Sequence, residues 1–114
     1  MRAYELMVIL NGGLDEAAVE AGIGRVSDQV SAKGARIAGT SRWGRRRFAY
    51  EIDHRHEGFY VVFEILAEAS ALDDVERQLR LADDVVRHKL IRLPDTEAAR
   101  RGLGAEQATP AAAG

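Results

Sequence analysis

Phe59-Tyr60-Val61-Val62-Phe63-Glu64-Ile65-Leu66 is the stretch that decides how the rest of this chain is read. Side chains alternate faces along a strand. Phe59, Val61, Phe63 and Ile65 therefore share one side, and Tyr60, Val62, Glu64 and Leu66 share the other. The first side is wholly apolar and must face a core. Immediately upstream, Asp53-His54-Arg55-His56-Glu57-Gly58 is polar and fits a hairpin connection. Beyond it, a second strand is expected from Ala35 through Ile37 to Ile52, so the centre of the chain reads as a long β-hairpin.

The first arm of that hairpin contains Ser41 to Ile52, SRWGRRRFAYEI. It sets Arg42, Arg45, Arg46 and Arg47 beside Trp43 and then alternates through Phe48, Tyr50 and Ile52. By strand periodicity 46, 48, 50 and 52 share one side and 45, 47, 49 and 51 the other. Gly44 stands where the pattern changes phase, which predicts a bulge or a close backbone approach. The expected result is a guanidinium cluster at the end of a strand whose remainder is anchored in a core. Arginine suits bidentate phosphate contacts. Consecutive arginines also serve as a solvated edge that discourages strand-to-strand pairing. These residues alone leave both readings open.

Working outward, Arg2 to Leu10 reads as a strand with Tyr4, Leu6, Val8 and Leu10 on one face and Ala3, Glu5, Met7 and Ile9 on the other. Both faces are mostly apolar, which predicts a central strand. Asn11-Gly12-Gly13 ends it as a turn; it lacks the spacing and the lysine of a phosphate-binding loop. Asp15 suits a helix N-cap, with Leu14 placed to staple onto Val19. Val19, Ile23, Val26 and Val30 form one apolar stripe over a helix of about residues 15–33, ended by Gly34. Gly22 and Gly24 weaken it and suggest close packing on a sheet. Downstream, Ser70 and Asp73 resemble a capping box, and Leu72, Val75, Leu79 and Ala82 form a second stripe. Val85 to Leu93 is the last strand, stopped by Pro94. From Asp95 the chain is Ala, Gly and charged residues with little to bury. It is expected to be a mobile tail (95–114) after a single domain (1–94), and its removal is expected to leave thermal stability nearly unchanged.

Composition bounds the rest. The 114 residues suit one domain, with 46% hydrophobic and 30% charged residues in the ordinary globular range. No apolar run approaches the roughly 20 residues of a membrane helix. There is no cysteine, hence no disulfide framework or thiolate zinc site, which fits a reducing cytoplasm. His54 and His56 stand two apart among acids but without further ligands at fixed spacing, so no metal is expected. Formal net charge is −2. Any nucleic-acid contact must therefore be a local patch. Arginine outnumbers lysine 14 to 2, which coding bias explains as well as chemistry does.

The order strand–helix–strand–strand–helix–strand is the split βαβ pattern of an α+β, ferredoxin-like sandwich: a four-stranded antiparallel sheet with two helices on one face. Two striped helices cover one side of such a sheet. The other side keeps Tyr60, Val62 and Leu66, an apolar face of the kind that binds something.

With the elements in place, the chain resembles the bacterial small-subunit ribosomal protein six family from about Met1 to Leu93. The likeness rests on Met1-Arg2-Ala3-Tyr4-Glu5, on Leu10-Asn11 before Leu14-Asp15, and most on Gly44-Arg45-Arg46-Arg47-Phe48-Ala49-Tyr50-Glu51-Ile52, similar to the family's Gly-x-Arg-Arg-Leu-Ala-Tyr-x-Ile. Gly58-Phe59-Tyr60 and the run from Leu79-Arg80 to Arg87 agree as well. Phe48 in place of Leu and Gly12-Gly13 in place of a Pro-containing turn are the departures. The resemblance implies a ribosomal protein of the cytoplasm without catalytic activity or cofactor. It implies binding to the central domain of small-subunit ribosomal RNA together with small-subunit protein eighteen. Carried over by position, Arg45, Arg46 and Arg47 lie at the RNA–partner junction, with Arg2 and Tyr4 on the adjoining first strand. Arg87 and Lys89 are further RNA candidates. Trp43, Tyr4, Tyr50 and Tyr60 are candidates for the protein partner, Tyr50 being equally readable as core.

Two rivals share the topology. A single-strand RNA reader needs Arg/Lys-Gly-aromatic-small-aromatic on its third strand. Here Glu57 precedes Gly58, and Tyr60 and Val61 occupy the small and second aromatic positions. A small-molecule or acyl-phosphate-type enzyme would use Asn11-Gly12-Gly13 with a nearby arginine, but the nucleophile-and-base pairing of a hydrolase is missing.

Overall fold

The structure is a computed structural model that describes residues 1–52 and 55–103. The elements are β1 (Arg2–Asn11), α1 (Glu16–Ala32), β2 (Arg36–Ile52), β3 (Arg55–Ala67), α2 (Asp73–Leu81), β4 (Val85–Arg92) and α3 (Asp95–Arg100). The sheet is antiparallel with order β2-β3-β1-β4. The ferredoxin-like sandwich expected from the sequence is the fold observed, and β1 is central as its two apolar faces require.

The core follows the strand and helix periods. Leu6, Val8 and Leu10 from β1 meet Val61, Phe63 and Ile65 from β3, under Val19, Ile23, Val26 and Val30 of α1 and Leu72, Val75 and Leu79 of the α2 stripe. Phe59 and Tyr4 pack on the same side as partly buried neighbours. Asp15 caps α1 as expected, its Oδ1 accepting from the Ala18 amide at 2.8 Å. Gly34 ends α1 in the left-handed region at φ +74°. Gly22 meets the sheet closely, since a Cβ there would lie 3.4 Å from Leu10 Cδ1. Gly24 has open space around it, so close packing does not explain it.

Three expectations are corrected. Ser70 does not cap α2. It sits at φ +71°, and α2 begins after Leu72 with no side-chain cap. The polar connection is shorter than expected, because Arg55–Gly58 already belong to β3, with Arg55 opposite Ile52, Glu57 opposite Arg47 and Gly58 opposite Arg46. Opposite charges across a strand pair support that extension. Asp53 and His54 lie outside the described residues.

The third correction concerns the C-terminal segment. Residues 95–103 are not a free tail. The helix α3 lays Ala98 and Leu103 against Ala3, Leu66 and Leu93 in a second buried cluster on the sheet face that the other helices leave uncovered. Arg101 fixes it there, donating to Glu97 at 2.6 Å, Glu5 at 3.0 Å and Glu64 at 3.1 Å. Two apolar side chains and one branched cation were enough to dock a segment too polar to look structured. Residues 104–114 of the expected tail lie outside the described residues.

Candidate nucleic-acid and partner interface

The arginine-rich arm of β2 is an edge strand, and its geometry is set by Gly44. The register with β3 shifts between Arg42 and Gly44, and Gly44 adopts φ +86°, a conformation that glycine takes without steric cost. This is the bulge expected from the sequence. A Cβ at Gly44 would meet nothing, so backbone conformation rather than close approach calls for glycine. Past the bulge, Arg45 faces Phe59 and Arg46 faces Gly58. Arg45 therefore falls on the helix side of the sheet and Arg46 on the uncovered side.

The four guanidiniums have different surroundings. Arg42 makes a bidentate pair with Glu20 of α1, both contacts at 2.9 Å. Hydrogen bonding to Arg42 holds the exposed Glu20 carboxyl below its ordinary range, and the same bond raises Arg42 further. Arg45 donates from Nε to the Gly12 carbonyl at 3.1 Å and from Nη2 to the Leu14 carbonyl, while its guanidinium carbon sits 5.9 Å from the Phe59 ring centre. Arg46 lies 5.2 Å over the Trp43 ring. Among the described residues, no ion pair or hydrogen bond engages the guanidinium of Arg46 or Arg47.

On the uncovered face Trp43 and Tyr60 are nearly parallel, with ring centres 6.4 Å apart, and Phe48 meets Tyr60 edge-on. Next to them a shallow groove of about 300 Å³ is lined by Met7, Ile9, Phe48, Tyr50, Tyr60 and Arg87. Tyr50 is 71% exposed and Trp43 46%. The far half of β2 is therefore an exposed ribbon rather than a strand anchored in a core, which corrects the expectation for this arm. In its partner β3 no residue before Gly58 is buried, and the first buried side chain is that of Val61.

The candidate residues divide by position. Arg87 lies opposite Ile9 and Lys89 opposite Met7, so both share the uncovered face with Tyr60, itself opposite Ile9. Arg2 and Tyr4 do not adjoin the cluster, because β3 separates β1 from β2. Arg2 lies opposite Ala67, whereas Asn11 lies opposite Gly58 at the arginine end. Nine residue steps of strand put Arg2 roughly 30 Å away. Tyr4 packs on the helix side and not beside Tyr60.

The glycine turn is closed to an anion. The Gly13 amide donates to Asn11 Oδ1 at 2.9 Å, and Gly12 abuts Glu57 so tightly that a Cβ would meet its Cγ at 2.8 Å. Arg45 occupies the turn's carbonyls. Across the hairpin His56 Nε2 lies 3.4 Å from Glu51. No group of three or more His, Cys, Asp or Glu side chains that could hold a metal ion occurs among the described residues. Among these residues no helix is long and apolar enough to cross a membrane. The Glu20–Arg42 pair and the Arg101 bridge carried no signal in the sequence, since their partners are 22, 37 and 96 positions apart.

A family model described as Ribosomal protein S6 matches residues 3–92. The chain belongs to the ribosomal protein S6 family. It is 44% identical over 92 residues to small ribosomal subunit protein bS6 of Carboxydothermus hydrogenoformans, covering 81% of this chain and 96% of that protein. The bS6 of Salinispora arenicola gives the same identity and coverage. The crystal structure of 30S ribosomal protein S6 from Thermotoga maritima superposes with a TM-score of 0.81 at 30% identity, over 88% of this chain and 94% of that one. The ribosomal protein S6 family is structural and non-enzymatic, which removes the enzyme reading. The family match ends at Arg92, short of α3.

Proposed function

We propose that this protein is a structural component of the small ribosomal subunit that binds the central domain of small-subunit ribosomal RNA together with small-subunit protein eighteen. Family membership supports the ribosomal role. The observation that carries the RNA contact is the pair of consecutive guanidiniums, Arg46 and Arg47, on an exposed hairpin arm, which make no ion pair or hydrogen bond among the described residues. Arg87 and Lys89 add charge on the opposite edge of the same face. The neighbouring aromatic surface of Trp43, Tyr60 and Tyr50 suits a protein partner, whose interface cores favour Tyr and Trp. A net charge of −2 fits a division of labour in which the partner contributes much of the basic surface.

Titration of the protein and of protein eighteen, separately and together, against a central-domain transcript tests this. Weak binding alone and much tighter binding together is the expected result. Equal affinity with and without the partner refutes the joint site.

A further inference from the structure

We infer that Arg45 is a positioning residue and that Arg46 and Arg47 alone of the three consecutive arginines take phosphate; this division rests on the RNA-binding reading above. A guanidinium grips a phosphate with two donors side by side. In Arg45 such a pair, Nε and Nη2, is already spent on the Gly12 and Leu14 carbonyls, with Phe59 beneath the plane. Arg46 lies over the Trp43 ring, but among the described residues no hydrogen bond takes up the guanidinium donors of Arg46 or Arg47.

Arg45 instead joins two parts of the fold. The turn it grips connects β1 to α1 and is already ordered by the Gly13–Asn11 contact and by the Leu14 amide donating to the Asn11 carbonyl at 3.2 Å. On its other side Gly12 presses on Glu57. The turn is therefore wedged between Arg45 of β2 and Glu57 of β3. Gly58 is equally crowded, because a Cβ there would meet Ile9 Cγ2 at 2.4 Å and the Leu10 carbonyl at 3.1 Å. These contacts lock the hairpin at the level of the Arg46–Gly58 and Arg47–Glu57 pairs, the last before the register shifts toward Ile52. Beyond that level the arm is exposed. Arg45 thus sets the direction from which Arg46 and Arg47 project, and preorganisation of this kind raises affinity without adding a contact.

The test uses the full chain with protein eighteen and a central-domain transcript over a range of salt concentrations, comparing R45A, R45K, R46A and R47A. R46A and R47A are each expected to flatten the log–log salt slope by about 0.7–0.9. R45A and R45K are expected to keep the parent slope and to lose affinity by a similar factor at every salt concentration. A lysine retains charge for a phosphate but lacks the rigid planar fork with which Nε and Nη2 hold the two carbonyls. A flattened slope in R45A, or parental affinity in R45K, would overturn the assignment. If the parent binds no RNA, the functional reading fails by itself and the clip is judged in the free protein. There, amide exchange at Gly13 and Leu14 should lose about tenfold protection in R45A, equivalent to 1.4 kcal/mol. Unchanged protection would overturn it.

Discussion

Replacing Leu103 by alanine measures how firmly α3 holds to the sheet. Leu103 is 6% exposed, and its neighbours Ala3, Leu66, Leu93 and Ala98 are all buried. Complete burial of a leucine side chain contributes about 1.5–3 kcal/mol, and truncation to alanine in a core costs about 2–5 kcal/mol. The low end applies here, because the cluster is small, peripheral and able to collapse. A ceiling also applies: the segment can open by itself, so the loss cannot exceed the docking free energy of α3. A cost of about 2 kcal/mol is expected, detectable as a lower melting temperature at roughly 4–8 °C per kcal/mol where opening and global unfolding are coupled. Amide exchange at Leu103, whose N–H donates to the Ala98 carbonyl at 2.6 Å, reports the docking directly. A parent Leu103 amide exchanging at the unprotected rate, or a variant within about 0.5 kcal/mol of the parent, well under the burial estimate, would refute the docked cap. Truncation after Pro94 is expected to destabilise, reversing the expectation drawn from the sequence.

Two further outcomes follow from individual residues. Gly24→Ala should stabilise the protein by about 0.5–1 kcal/mol, since Gly24 lies inside α1 with free space for a methyl group and alanine is the better helix former. Gly22→Ala should gain less in the same denaturant titration, because its methyl would press on Asp84 Oδ2 at 3.2 Å. Acid should loosen α3: hydrogen bonds from Arg101 and then Arg100 hold the partly buried Glu97 carboxyl below its ordinary 4.5. A depressed carboxylate contributes stability that is fully present above that value and disappears as pH falls through the lower folded one. Exchange of the α3 amides should therefore accelerate below about pH 4.5 beyond its intrinsic pH dependence, and an exchange profile that tracks the intrinsic rate would count against it.

The parts of the fold legible in the sequence were those that repeat. Phe59 to Leu66 and Tyr4 to Leu10 alternate with period two, and Val19 to Val30 recurs at helical spacing; each put its buried set on the correct side. Gly44 was legible for a different reason, as the one residue able to take φ +86° where the alternation changes phase. Placement across the sheet was not legible. Nothing in Arg2 or Tyr4 states that β3 lies between β1 and β2, so two residues read as neighbours of the arginine cluster stand at its far end. Which arginine is engaged was hidden too. Arg42 and Arg45 look like Arg46 and Arg47 in sequence, and only the approach of Glu20 and of the Gly12–Leu14 turn distinguishes them. Nor did α3 show a stripe, because it is six residues long and docks through Ala98 and the following Leu103.

The cap also bears on charge. Glu5 and Glu64 lie directly opposite each other on β1 and β3, an arrangement of like charges that opposes strand pairing. Arg101 bridges both and so compensates the pair from within the chain. The uncovered remainder of that face carries Arg46, Arg87 and Lys89. Without Arg101, two carboxylates would project an opposing field toward these cations, weakened with distance over a Debye length of about 8 Å at physiological salt. A chain with a formal charge of −2 can thus keep a locally cationic surface because several acidic residues are matched elsewhere: Glu20 by Arg42, Asp84 by Arg25, Asp74 by Lys33 and Arg77, and the Glu5–Glu64 pair by Arg101. The cationic character of this face is therefore a property of the folded arrangement. Among the described residues, Arg46 and Arg47 stay outside these pairs.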